Sequence, residues 1–120
     1  MSREVILVIG GNVGDILMPY FDSSGDYTYS FHFDYFDYLT PDNSGIIDKR
    51  TGVGANGIEF KHIDLDKSDL TAYGLVHQDG FVYKQDYAMD NNLDGYIKEY
   101  DRYLSNLKCN DILTFVRIHC

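Results

Sequence analysis

The chain has 120 residues, 44% of them hydrophobic and 15% aromatic, with a formal net charge of −9. That length can bury a core without metal or disulfide staples, and the composition excludes a disordered acidic tail. So large an excess of acid argues against direct binding to nucleic acid or to an anionic membrane surface, because both depend on Lys and Arg.

The first element expected is a buried strand, Glu4–Gly10, short, apolar, rich in β-branched residues and closed by glycine. Its apolar run from Val5 to Ile9 is too short for an export signal, and no other stretch approaches membrane-spanning length. A cytoplasmic protein of one domain, 1–120, with Cys109 and Cys120 reduced, is therefore expected. Residues 11–26 read as a loop with at most one helical turn before Pro19. From Tyr27 to Tyr35 the odd positions are all aromatic and the even ones are Thr28, Ser30, His32 and Asp34. That alternation predicts a strand with one aromatic face. At Phe36 the parity flips, which predicts a β-bulge near residues 34–36 or a strand end.

Thr40–Gly45 reads as a turn, Thr51–Gly57 as a glycine-rich loop and Ile58–Leu65 as a strand. Two β-prone runs flank Gln78-Asp79-Gly80, a hairpin signal. Leu93, Tyr96, Ile97, Tyr100, Tyr103, Leu104 and Leu107 keep three- and four-residue spacing. A helix over 93–108 is expected to bury that stripe, capped by Asn92 or Asp90. Ile112–Ile118 reads as the final strand. The fold class expected is α+β: an antiparallel or mixed sheet of about five to six strands, with one long amphipathic helix packed on one face.

Several short motifs in the sequence have simpler explanations. Gly10–Asp15 (GGNVGD) resembles the opening motif of the pterin pyrophosphokinases, and Ile63–Asp66 (IDLD) is similar to that family's paired-aspartate metal segment. The arginines that the family places before its aspartate pair are absent and the spacing is short, so a strand-ending turn explains Gly10–Asp15 better. Asp90, Asn92, Asp94, Gly95, Ile97 and Asp101 fall at positions of a calcium loop of dockerin type. Lys98 and the helical stripe starting at Leu93 oppose that reading, and helix capping is favoured. His32, His62, His77 and His119 show no metal-ligand spacing. No catalytic residue, cofactor or metal is assigned.

Charge and aromatic content converge on one region. No Lys or Arg occurs between Arg3 and Lys49; residues 1–48 carry one base against eight acids, giving −7, and residues 49–120 carry nine against eleven, giving −2. Nine of the eighteen aromatic residues lie between Tyr20 and Tyr38. Aromatics ringed by acids are the composition of a protein interface, in which Tyr and Phe anchor and rim charges steer. The candidate partner-binding residues are Asp22, Asp26, Asp34, Tyr35, Phe36, Asp37, Tyr38 and Asp42. The expected function is that of a small acidic inhibitor of a basic protein partner. An immunity protein covering the phosphate-binding surface of a bacterial nuclease toxin has this character. A phage-type anti-defence inhibitor of a nucleic-acid-binding enzyme is one alternative. A small-ligand-binding domain or enzyme using Gly10–Gly14 and Gly52–Gly57 around Asp64 and Asp66 is another. Homodimerisation through the aromatic strip would also hide it.

Overall fold

The computed structural model describes residues 3–22 and 29–119. Eight strands and three helices follow in the order β1 (Arg3–Ile9), α1 (Val13–Leu17), β2 (Tyr35–Tyr38), β3 (Ile46–Ile47), β4 (Gly54–Ala55), β5 (Ile58–Glu59), β6 (Gly74–His77), β7 (Gly80–Tyr83), α2 (Lys84–Ala88), α3 (Leu93–Ser105) and β8 (Ile112–His119). The fold is α+β: a mixed six-stranded sheet ordered β2-β8-β1-β6-β7, with β5 also on β8, and a separate pair β3-β4. β1 runs parallel to β6 and antiparallel to β8.

β1 is apolar at every central position because both of its faces are covered. Ile6 and Val8 join Val76, Val116 and Ile118 in one core cluster with Val13, Leu17, Tyr20, Phe31 and Phe33. Leu7 joins Leu75, Leu113 and Phe115 in a second, closed by Tyr96 and Tyr100 of α3. The first cluster lies under α1 and the residues before β2, the second under α3. Gly10 ends β1 at φ 133, and a Cβ there would meet Ile16 Cδ1 at 2.4 Å, so the turn requires glycine.

Several expectations need correction. The alternating segment before Tyr35 is not a strand: Tyr29–Asp34 runs irregularly, with one bridge from Phe33 to Phe21, and Tyr27 and Thr28 lie outside the described residues. The alternation marks burial only at its middle: Phe31 and Phe33 are buried, whereas Tyr29 and Tyr35 are exposed. Ile58–Leu65 is a strand only at Ile58–Glu59, then turns into a 3-10 helix, Phe60–His62. The hairpin forms as expected, its two-residue turn being Gln78-Asp79 with Gly80 already paired to His77. The second strand of the hairpin ends at Tyr83, where α2 begins. α3 ends at Ser105 rather than residue 108, and its stripe is only partly buried, with Leu93 and Ile97 exposed.

Asn92 caps α3, its side chain accepting from the Gly95 amide at 3.1 Å. Helix therefore begins at Leu93, where a calcium loop would still be wrapping an ion. Tyr96 donates to the Ala72 carbonyl at 2.6 Å and Tyr100 donates to that of Leu70, tying α3 to the segment entering β6. Burial pushes both phenols above their ordinary pKa.

Candidate functional site: an apolar groove with an acidic rim

The register of β2 against β8 sets the geometry of the aromatic region. Tyr35 pairs with His119, Phe36 with Ile118, Asp37 with Arg117 and Tyr38 with Val116. The Asp34 amide also donates to the His119 carbonyl at 3.0 Å. Two residues thus oppose one, which is a β-bulge. It turns both Phe33 and Phe36 toward the first core cluster, although they are an odd number of positions apart, and sends Tyr35 outward. The parity flip in the sequence is this bulge.

Before the bulge, Pro19 sits in a 3-10 turn, Met18–Tyr20, that closes α1. The chain then runs beside Phe33, with the Asp22 amide donating to the Phe33 carbonyl at 2.8 Å and the Phe33 amide donating to that of Tyr20 at 3.1 Å. Met18 and Phe21 therefore face out beside Phe33 and Phe36. Leu17, Met18, Phe21, Phe33, Tyr35 and Phe36 line a groove of ≈ 460 Å³, with Asp15 and Asp34 on its wall. Met18 is 68% exposed, Phe21 54% and Tyr35 61%, so the groove is an open apolar surface beside carboxylates. The rings of Phe21 and Phe33 meet edge to face at 5.9 Å, and those of Phe33 and Phe36 at 5.7 Å, which fixes the floor.

The eight candidate residues divide accordingly. Asp34, Tyr35 and Phe36 line the groove, and Asp22 follows Phe21 at its edge. Tyr38 continues the same face, its ring 5.8 Å from that of Phe36. Asp37 points to the opposite face of the sheet, in register with Arg117. Asp42 is exposed in the turn beyond the far end of β2, and Asp26 lies outside the described residues. The acidic field is partly offset from within. The Asp34 carboxylate accepts from His119 Nδ1 at 2.7 Å, and Arg3, Arg117 and His119 flank Asp37 in a small depression of ≈ 210 Å³. Met18, Phe21 and Asp15 escaped the sequence reading because Pro19 marks a loop. The available signal was Met18 and Phe21 at three-residue spacing, which a single turn places on one side.

A second concavity of ≈ 640 Å³ opens at the carboxyl ends of the parallel strands β1 and β6. Gly10, Gly11, Asn12, Asp15, His77, Gln78 and Asp111 line it, with Ile9, Ile16, Pro19 and Tyr20. His77 Nδ1 accepts from the Asp79 amide at 3.2 Å, which puts the ring proton on Nε2. That nitrogen is buried with no hydrogen-bond partner among the described residues, and the ring lies 4.6 Å from that of Tyr103. Burial holds the His77 pKa below its ordinary value, so the ring is neutral at pH 7. The two glycine-rich loops meet elsewhere, where Gly11 and Gly57 share a groove of ≈ 430 Å³ with Tyr38 and Asn56. Asp64 and Asp66 line neither concavity; Asp64 Oδ1 accepts from the Asp66 amide in a turn. Among the described residues no group of His, Cys, Asp and Glu is placed to hold a metal ion, and no helix is long and apolar enough to cross a membrane.

No family model matches the chain, and neither a curated protein nor a solved structure matches it.

Proposed function

We propose that the protein is an acidic binding protein that docks a basic protein partner on the Met18–Phe21–Phe36 groove, as an inhibitor of immunity-protein type does with a nuclease toxin. The observation that carries this reading is the open apolar groove with Asp15 and Asp34 on its wall, within residues 1–48, which hold −7 of the net charge. Burying Met18 and Phe21 in a partner removes apolar area from water, while the carboxylates favour a basic rim and steer its approach. Carboxylates presented in this way would occupy sites that a nuclease keeps for phosphates. An anti-defence inhibitor of a nucleic-acid-binding enzyme would use the same surface.

The test is capture from the source cell at low salt by the wild-type chain and by Met18→Glu. A stoichiometric basic partner, lost on Met18→Glu and stripped by a wash at about 0.5 M salt, is expected. A partner retained equally by both proteins would end this reading. The second reading, a small-ligand domain, is favoured by the cleft at His77 and its unpartnered Nε2. It predicts a ligand that shifts the His77 ring resonances and leaves Met18 and Phe21 untouched.

A further inference from the structure

Hydrogen-bond parity along β8 fixes which backbone groups of β2 face away from the sheet. The Gly10 amide donates to the Ile112 carbonyl at 2.8 Å, so even-numbered residues of β8 bond toward β1. Odd-numbered ones bond the other way: the Leu113 carbonyl accepts from the Gly57 amide at 3.0 Å and the Phe115 carbonyl from the Leu39 amide at 3.2 Å. Leu39, Asp37 and Tyr35 therefore turn their amides and carbonyls to β8. Phe36 and Tyr38 turn theirs outward, at the end of the sheet where no described strand pairs with β2. Their side chains lie on the groove face. The protein's own chain demonstrates the pairing one step earlier, where the segment Tyr20–Asp22 bonds to both backbone groups of Phe33.

We propose that the partner docks by strand addition, laying an extended basic segment along the outward groups of Phe36 and Tyr38. This rests on the groove reading above and specifies how the groove is filled. In an added strand alternate side chains share a face, so one apolar side chain enters the groove beside Met18 and Phe21. Side chains two residues to either side lie on that same face, level with Asp15 and Asp34, and are Lys or Arg. The residues between them face Asp37, which already has Arg3 and Arg117 beside it, and are neutral.

The probe is the peptide acetyl-Thr-Lys-Thr-Phe-Thr-Lys-Thr-amide, titrated into the isotope-labelled protein and followed by amide resonances and hydrogen exchange. Saturable binding is expected, with the Phe36 and Tyr38 amides shifted and slowed in exchange, and with no binding when both lysines are replaced by glutamate. Tyr38→Pro, which removes an outward N–H, should bind about three- to tenfold more weakly than Tyr38→Ala, the worth of one hydrogen bond. Should Tyr38→Pro fail to fold, the exchange data on the wild-type chain decide alone. Saturation with shifts at Met18 and Phe21 but unchanged exchange at Phe36 and Tyr38 would overturn strand addition and leave the groove in place. Absence of saturable binding at several millimolar peptide, roughly the limit of measurable affinity, would overturn strand addition too. In that case the Met18→Glu capture separately decides the groove.

Discussion

Asp48 shows how one side chain can organise a loop. Only 6% exposed, it accepts from the Arg50 guanidinium at 2.8 and 3.0 Å and from the Arg50 amide at 2.9 Å. Its carbonyl also accepts from the amides of Thr51 and Gly52, closing the turn between β3 and β4. The Arg50 hydrogen bonds hold its pKa well below the ordinary 3.8, at about 2. A lowered folded-state pKa means that this stability is present above pH 3.8 and is lost as pH falls toward 2. Thermal melts between pH 5 and pH 2, on the order of the range that the linkage spans, should therefore show a steeper loss for the wild-type chain than for Asp48→Asn. Nothing in the sequence distinguishes Asp48 from the other acids of its half, because the role depends on the guanidinium two residues on folding back over it.

At the scale of elements, Asn56 fills a gap between two strands. β2 and β5 lie end to end along β8, and between them the Phe115 amide finds no backbone carbonyl. The Asn56 amide takes its place, donating to the carbonyls of Leu39 and Phe115 at 2.9 Å each and accepting from the Phe115 amide at 2.8 Å. Asn56→Ala should cost about 2 kcal/mol in denaturant unfolding, since it leaves the Phe115 amide and the Leu39 carbonyl without this partner, while the Phe115 carbonyl keeps the Leu39 amide. Asn56→Asp should also destabilise, because a carboxylate cannot donate to either carbonyl.

The elements differ in how plainly the sequence announces them. β1, β8 and the β6–β7 hairpin are legible because continuous apolar runs and a two-residue turn have few other uses. The bulge is legible because its parity flip survives in the side-chain pattern. The aromatic alternation before it misleads about the backbone. Phe31 and Phe33 are buried from an irregular segment without a paired strand, and the same alternation runs on to Tyr29 and Tyr35, which are exposed. The α3 stripe misleads in the opposite direction. Its spacing gives the helix, but only Tyr96 and Tyr100 of the stripe are fully buried, and Leu93 and Ile97 remain exposed.

For the molecule as a whole, charge is the most readable property and groove geometry the least. The imbalance between residues 1–48 and 49–120 follows from counting, yet the C-terminal strand brings Arg117 and His119 back among the acids. Sequence distance conceals that return. In the proposed complex the acidic field acts on encounter more than on the final contacts. Asp34, Asp37 and Asp42→Asn together should slow association with a basic partner by about tenfold at low salt, with the difference vanishing near 0.5 M, where the screening length is a few ångströms. Stopped-flow mixing at two salt concentrations measures it; an unchanged rate at low salt would remove steering from the account while leaving the apolar contact intact.

The position of β8 also has consequences for how the chain reaches this shape. β1, β2 and β5 all pair with β8, and all precede it in the chain. Until residues 112–119 are available, the outward groups of β1 on that side have no neighbour, and β2 and β5 have no template. During synthesis the first hundred residues must therefore wait with their aromatic surface uncovered, and closure of the sheet joins residues more than a hundred positions apart. Long-range closure of this kind slows folding and lengthens exposure to aggregation. The acidic residues that surround the aromatic strip would keep such waiting chains apart by mutual repulsion, a use for the charge that precedes any encounter with a partner.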